Sequence, residues 1–98
     1  KQLNKIDLVK IDVELHEPAV FEGFKRIQEF RPIIVVEVLN QEVGDKIAAS
    51  ANLSGYIIYR LRAPYEVERL NSIQSNKKYR NILLLPKEKA LPANTKVI

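Results

Sequence analysis

Seven consecutive residues, Ile33-Ile34-Val35-Val36-Glu37-Val38-Leu39, constrain the fold of this chain more than any other segment. Five of them are β-branched and stiff at χ1, and turn-forming residues bound the run at Pro32 and Asn40. Such a run reads as a strand buried on both faces, as in α/β sheets. Its uninterrupted apolar part, Ile33 to Val36, is far too short to span a bilayer. Glu37 stands out in it, because an acid inside an apolar run costs several kcal/mol unless it is paired or faces a polar rim.

The segments on either side take complementary patterns. Ile6 to Val13 mixes alternation with a continuous apolar centre and reads as a first strand. Pro18 suits a first helical turn, and Val20, Phe21, Phe24, Ile27 and Phe30 recur at helical spacing, predicting a helix from Pro18 to Phe30 that Arg31-Pro32 closes. Val43, Ile47, Ala48 and Ala51 mark a second helical pattern over Gln41 to Asn52, with Ser54-Gly55 as its stop. Tyr56 to Leu61 and Ile82 to Leu85 read as third and fourth strands. Between them, Ala63 to Lys78 lacks a period and reads as a long loop, functional, mobile or partly helical.

Strand, helix, strand, helix, strand predicts an α/β domain with a mostly parallel sheet, right-handed crossovers and an antiparallel last strand. The domain is expected over residues 1–86, with an irregular C-terminal arm at 87–98. Ligands of such sheets sit beyond the carboxyl ends of the strands, so residues after Val13, after Val36 and around Arg62 are expected on one rim. An incomplete sheet would leave the first strand as an open edge, from which a dimer, swapped or edge-to-edge, or poor solubility is expected.

Composition narrows the function. The 98 residues form one domain at most, and the absence of cysteine excludes disulfides, thiolate metal sites and cysteine nucleophiles. No apolar stretch fits a signal peptide or a membrane span, so a cytoplasmic protein is expected. No methionine occurs either, which leads to the expectation that Lys1 is an internal position of a longer protein. Residues 60–80 hold six basic and two acidic groups, with Arg60, Arg62, Arg69, Lys77, Lys78 and Arg80 set among Tyr59, Tyr65 and Tyr79. That mixture suits phosphates and stacked bases, and equally a solvated loop; no zinc-finger or RNA-recognition signature accompanies it.

The densest chemistry lies at the end of the first strand, where Asp12, Glu14, His16 and Glu17 fall within six residues. Alternation places Asp12 and Glu14 on one face. Two carboxylates beside an imidazole can act as general base and orienting acid, or hold a hard cation. The plainer alternative is that Glu14 and Glu17 favour a helix N-terminus through its dipole, with His16 an exposed turn residue.

The stretch IDLVKIDVELHEPAVFEGFKRIQEFRPIIVVEV resembles the signature of the FkbM-type methyltransferases. That signature is a strand ending K-x-D-x-E-G, an H-E pair, a helix with V-x-x-G, and a strand P-I-I-x-x-E. Lys10, Asp12, Glu14, His16, Glu17, Val20, Gly23, Pro32 and Glu37 fall on it in order and at its spacing, and Gly55-Tyr56 with Asn81-Ile82 resembles the family's last strands. Leu15 departs from it, standing where the family usually has glycine.

The resemblance implies the C-terminal half of a Rossmann-like methyltransferase sheet and an S-adenosylmethionine-dependent O-methyltransferase acting on a sugar or secondary-metabolite hydroxyl. It further implies that His16 or Asp12 assists deprotonation, that Asp12 lies beside the methyl donor, and that Glu14 and Glu17 position the acceptor, with Glu37 supporting them from the neighbouring strand. The family's glycine-rich cofactor loop has no counterpart, since the only glycines are Gly23, Gly44 and Gly55. The alternative is a non-catalytic Rossmann-like interaction module that binds a partner, with nucleic acid, through residues 60–80, the less expected candidate.

Overall fold

The computed structural model describes residues 8–12, 29–50 and 53–98, and the expected helix at Pro18 to Phe30 falls almost wholly outside them. Strand β1 (Leu8–Asp12) and strand β2 (Ile33–Glu37) lie side by side and parallel. Ahead of β2 the chain turns through Arg31, whose φ of 53° is left-handed. Past β2, Asn40 caps helix α1 (Gln41–Ser50), its side-chain oxygen accepting from the Val43 amide at 2.9 Å. Among the described residues α1 is the only helix.

A tight turn at Leu53–Tyr56, closed by Tyr56 N donating to Leu53 O at 3.0 Å, leads into β3 (Tyr56–Ala63). Gly55 takes φ +81° there, a conformation that favours glycine. Strand β3 reverses through Pro64-Tyr65, with Tyr65 at φ 73°, into β4 (Glu66–Leu70). Residues 71–80 then lead to β5 (Asn81–Pro86), which inserts between β2 and β3 and runs against both. Within the expected irregular arm, β6 (Lys96–Val97) pairs parallel with β4.

The sheet order is β1-β2-β5-β3-β4-β6. This overturns the expected mostly parallel, Rossmann-like sheet: β2/β5, β5/β3 and β3/β4 are antiparallel, and only β1/β2 and β4/β6 are parallel. The physical reason is the connections. A two-residue turn folds β4 back against β3, and β5, which runs in the direction of β4, inserts between β2 and β3 and opposes both, so no crossover helix sets two of these neighbours parallel.

The sheet buries apolar side chains on both faces. On one, Ile34, Val36, Ile58, Ile82 and Leu84 pack under Val43 and Ile47 of α1. On the other, Tyr59, Val67, Leu83 and Leu85 form a second cluster, flanked by half-buried Val35 and Leu91. Each fully buried Ile, Leu or Val contributes about 1.5–3 kcal/mol. These two layers fix the strand register, and with it the residues that meet along each edge of the sheet.

Candidate functional site

Register alone builds one rim. Asp12, the last residue of β1, is the parallel partner of Glu37 at the end of β2, and Glu37 is in turn the partner of Asn81 at the start of β5. Strand β3 runs in the same direction as β2, so its end at Arg62 and Ala63 reaches the same edge beside Asn81. Adjacent strands lie about 4.8 Å apart, which puts the backbone at Asp12 about 10 Å from that at Asn81. Glu37 is half-buried, on the face opposite α1. Glu14, His16 and Glu17 lie outside the described residues, as do the expected contacts among them.

Next to this rim the chain forms a cleft of about 340 Å³, lined by Leu61, Arg62, Ala63, Pro64, Lys78, Tyr79, Arg80 and Asn81. Three local devices hold it in shape. The Asn76 side-chain oxygen accepts from the amides of Lys78 and Tyr79, both at 2.9 Å, and sets the bend of the loop. The Val38 amide donates to Arg80 O at 2.7 Å, tying that loop to the end of β2. Arg62 lies over the Tyr79 ring at 5.1 Å from its centroid, and Lys78 at 5.2 Å. A hydrogen bond from Lys78, reinforced by Arg62, holds the Tyr79 phenol below its ordinary pKa.

Arg62 is also steered from behind. Its guanidinium lies 3.6 Å from Glu68, which pairs at 3.1 Å with the buried Arg60. Arg60 donates as well to Gln74 O at 3.1 Å, while its Nε is buried without a partner among the described residues. Removing Glu68 would leave a buried guanidinium under-satisfied, at a cost of about 1–3 kcal/mol. The segment from Arg60 to Arg80 is therefore no continuous basic stripe. Arg60 is a buried structural cation, Arg69 and Lys77 are exposed outside the cleft lining, and Arg62, Lys78 and Arg80 converge on the cleft.

Sequence reasoning picked out the cations and missed their convergence and Asn81. The signal available was the charge excess at 60–80; what it lacked was the β3–β4 hairpin, which returns the chain so that residues 61–64 face 78–81.

The two glycines among the described residues lie apart from the rim. Gly44 sits inside α1, where a Cβ would meet Ile73 at 3.1 Å and Val38 at 3.2 Å, and Gly55 forms the turn before β3. Both glycines are used for packing and chain reversal, and neither reaches the rim. Among the described residues no group of three or more His, Cys, Asp or Glu could hold a metal ion, and no helix is long and apolar enough to cross a membrane. Comparison with family models, with curated proteins and with solved structures gave no match.

Proposed function

We propose that this chain is the acceptor-side portion of an S-adenosylmethionine-dependent O-methyltransferase of the FkbM type, acting on the hydroxyl of a sugar or another small metabolite. The observation that carries the reading is the pairing of Asp12 with Glu37. These two acids of the resembling motif lie 25 positions apart in sequence and occupy one register position on parallel neighbouring strands, at the edge that also bears the cleft. A carboxylate there accepts the hydrogen bond of an acceptor hydroxyl and shares its proton as the oxygen becomes nucleophilic. The methyl donor would be held by residues other than the described ones, because these lack a glycine cradle.

Transfer measured as S-adenosylhomocysteine formation in the full-length protein tests this. Asp12→Asn is expected to lower kcat about 100-fold, the scale of a lost general base, while leaving donor affinity nearly unchanged. Unchanged turnover in that variant would remove Asp12 from the chemistry.

The second reading, an interaction module for nucleic acid, draws on the basic residues at 60–80. It is weakened by the burial of Arg60, which takes one of those cations out of reach of a phosphate backbone.

A further inference from the structure

The cleft beside the acidic rim has no role in the reading above, and its chemistry is one-sided. Its lining contains three cations, Arg62, Lys78 and Arg80, and no acid. Lys78 and Arg80 form no ion pair among the described residues, and the pairing of Arg62 with Glu68 is long, at 3.6 Å. Tyr79 and Asn81 add a phenol and an amide, both suited to hydrogen-bonding an oxyanion or the hydroxyls next to it. At about 340 Å³ the space lies at the small end for small-molecule sites, too small for a polymer to be enclosed.

We propose that this cleft binds the phosphate group of a small phosphorylated acceptor, of sugar-phosphate size, and so points the acceptor's free hydroxyl toward the rim bearing Asp12 and Glu37. The assignment of the acceptor rests on the methyltransferase reading; the phosphate site itself does not. The orientation follows from charge. A phosphate is attracted by Arg62, Lys78 and Arg80 and repelled by the acids of the rim, Glu37 at one strand spacing from Asn81 and Asp12 at two, whereas a neutral hydroxyl suits the acidic end. Arg62 is the best placed to grip the anion, because its stacking on Tyr79 and its contact with Glu68 already restrict its rotamers. The fixed bend at Asn76 holds Lys78 and Tyr79 in the same way from the other wall.

The test is calorimetric titration of the chain, without methyl donor, using glucose 1-phosphate, glucose and inorganic phosphate as probes. Glucose 1-phosphate is expected to bind at low salt, inorganic phosphate more weakly, and glucose undetectably. Lys78→Gln and Arg80→Gln are each expected to weaken glucose 1-phosphate about tenfold. Lys77→Gln, which removes the same charge outside the cleft lining, is expected to leave it unchanged. Equal binding of glucose and glucose 1-phosphate would overturn the proposal, as would equal losses in Lys77→Gln and Lys78→Gln. Inorganic phosphate binding as tightly as glucose 1-phosphate would overturn the acceptor assignment. A single-stranded oligonucleotide that displaces glucose 1-phosphate, with a steep loss of affinity as salt rises, would replace the proposal with nucleic-acid binding. Since no donor is present, phosphate binding that persists in a protein without methyl transfer would keep the site and sink the methyltransferase reading alone.

Discussion

At the scale of single residues, side chains settle what the alternating pattern leaves open. Arg31 is one example: in sequence it is only the residue before a proline, yet it closes the sheet's far edge. Its guanidinium grips Glu88 through two hydrogen bonds, at 2.8 and 3.0 Å, donates to Gly55 O at 3.1 Å, and lies over the Tyr56 ring at 4.7 Å. The hydrogen bonds from Arg31 hold the Glu88 carboxyl down at about 2, against an ordinary value of 4.5. A carboxyl depressed on folding stabilises the native state above its unfolded pKa, and that contribution is lost as pH falls through the folded value. Thermal melts between pH 4.5 and 2 should therefore show Glu88→Gln losing its disadvantage: it melts below the parent at pH 7, and the gap closes toward pH 2. Both side chains are substantially exposed, so the effect at neutral pH is small. A gap independent of pH would mean that the lost contact, rather than its ionisation, sets the difference.

At the scale of elements, legibility followed the strength of the apolar pattern. The buried strands at Ile33–Glu37, Tyr56–Ala63 and Asn81–Pro86 and the helix at Gln41–Ser50 lie where their periodicity predicts, because each takes its position from apolar side chains repeating at its own period. Strand β4 was hidden for the opposite reason: three of the five residues in Glu66-Val67-Glu68-Arg69-Leu70 are charged, and Val67 and Leu70 alone are buried. It forms because the β3 ladder offers it partners, with Arg60 opposite Glu68 as a matched charge pair. Helix α1 carries its own close fit at Gly44, approached by Ile73 and Val38. A leucine there cannot be absorbed by the sheet beneath, and Gly44→Leu is expected to cost about 1–3 kcal/mol through overpacking, despite leucine's better helix propensity. Urea denaturation measures it; a variant as stable as the parent would mean that the helix can lift off the sheet freely.

At the scale of the whole molecule, the sequence carried the ingredients of the site but not the sheet that assembles them. The acids at Asp12 and Glu37 and the cations at 60–80 were visible as residues, while the mostly parallel arrangement read from alternating strands and helices was wrong, since direction is set by connections rather than by strand composition. The observed register nevertheless brings Asp12, Glu37 and Asn81 into line, with the cationic cleft at the end of that row. One edge of the sheet thus has acids at one end and cations at the other, and the proposed orientation of a phosphorylated acceptor rests on that polarity. The proposed methyl transfer divides labour between this edge, as the acceptor side, and a methyl-donor site built by other residues. Calorimetric titration of S-adenosylmethionine into the full-length protein and into this chain tests that division most directly. Binding by the full-length protein, with weak or no binding by this chain alone, is the expected result; donor binding by neither would remove the methyltransferase reading.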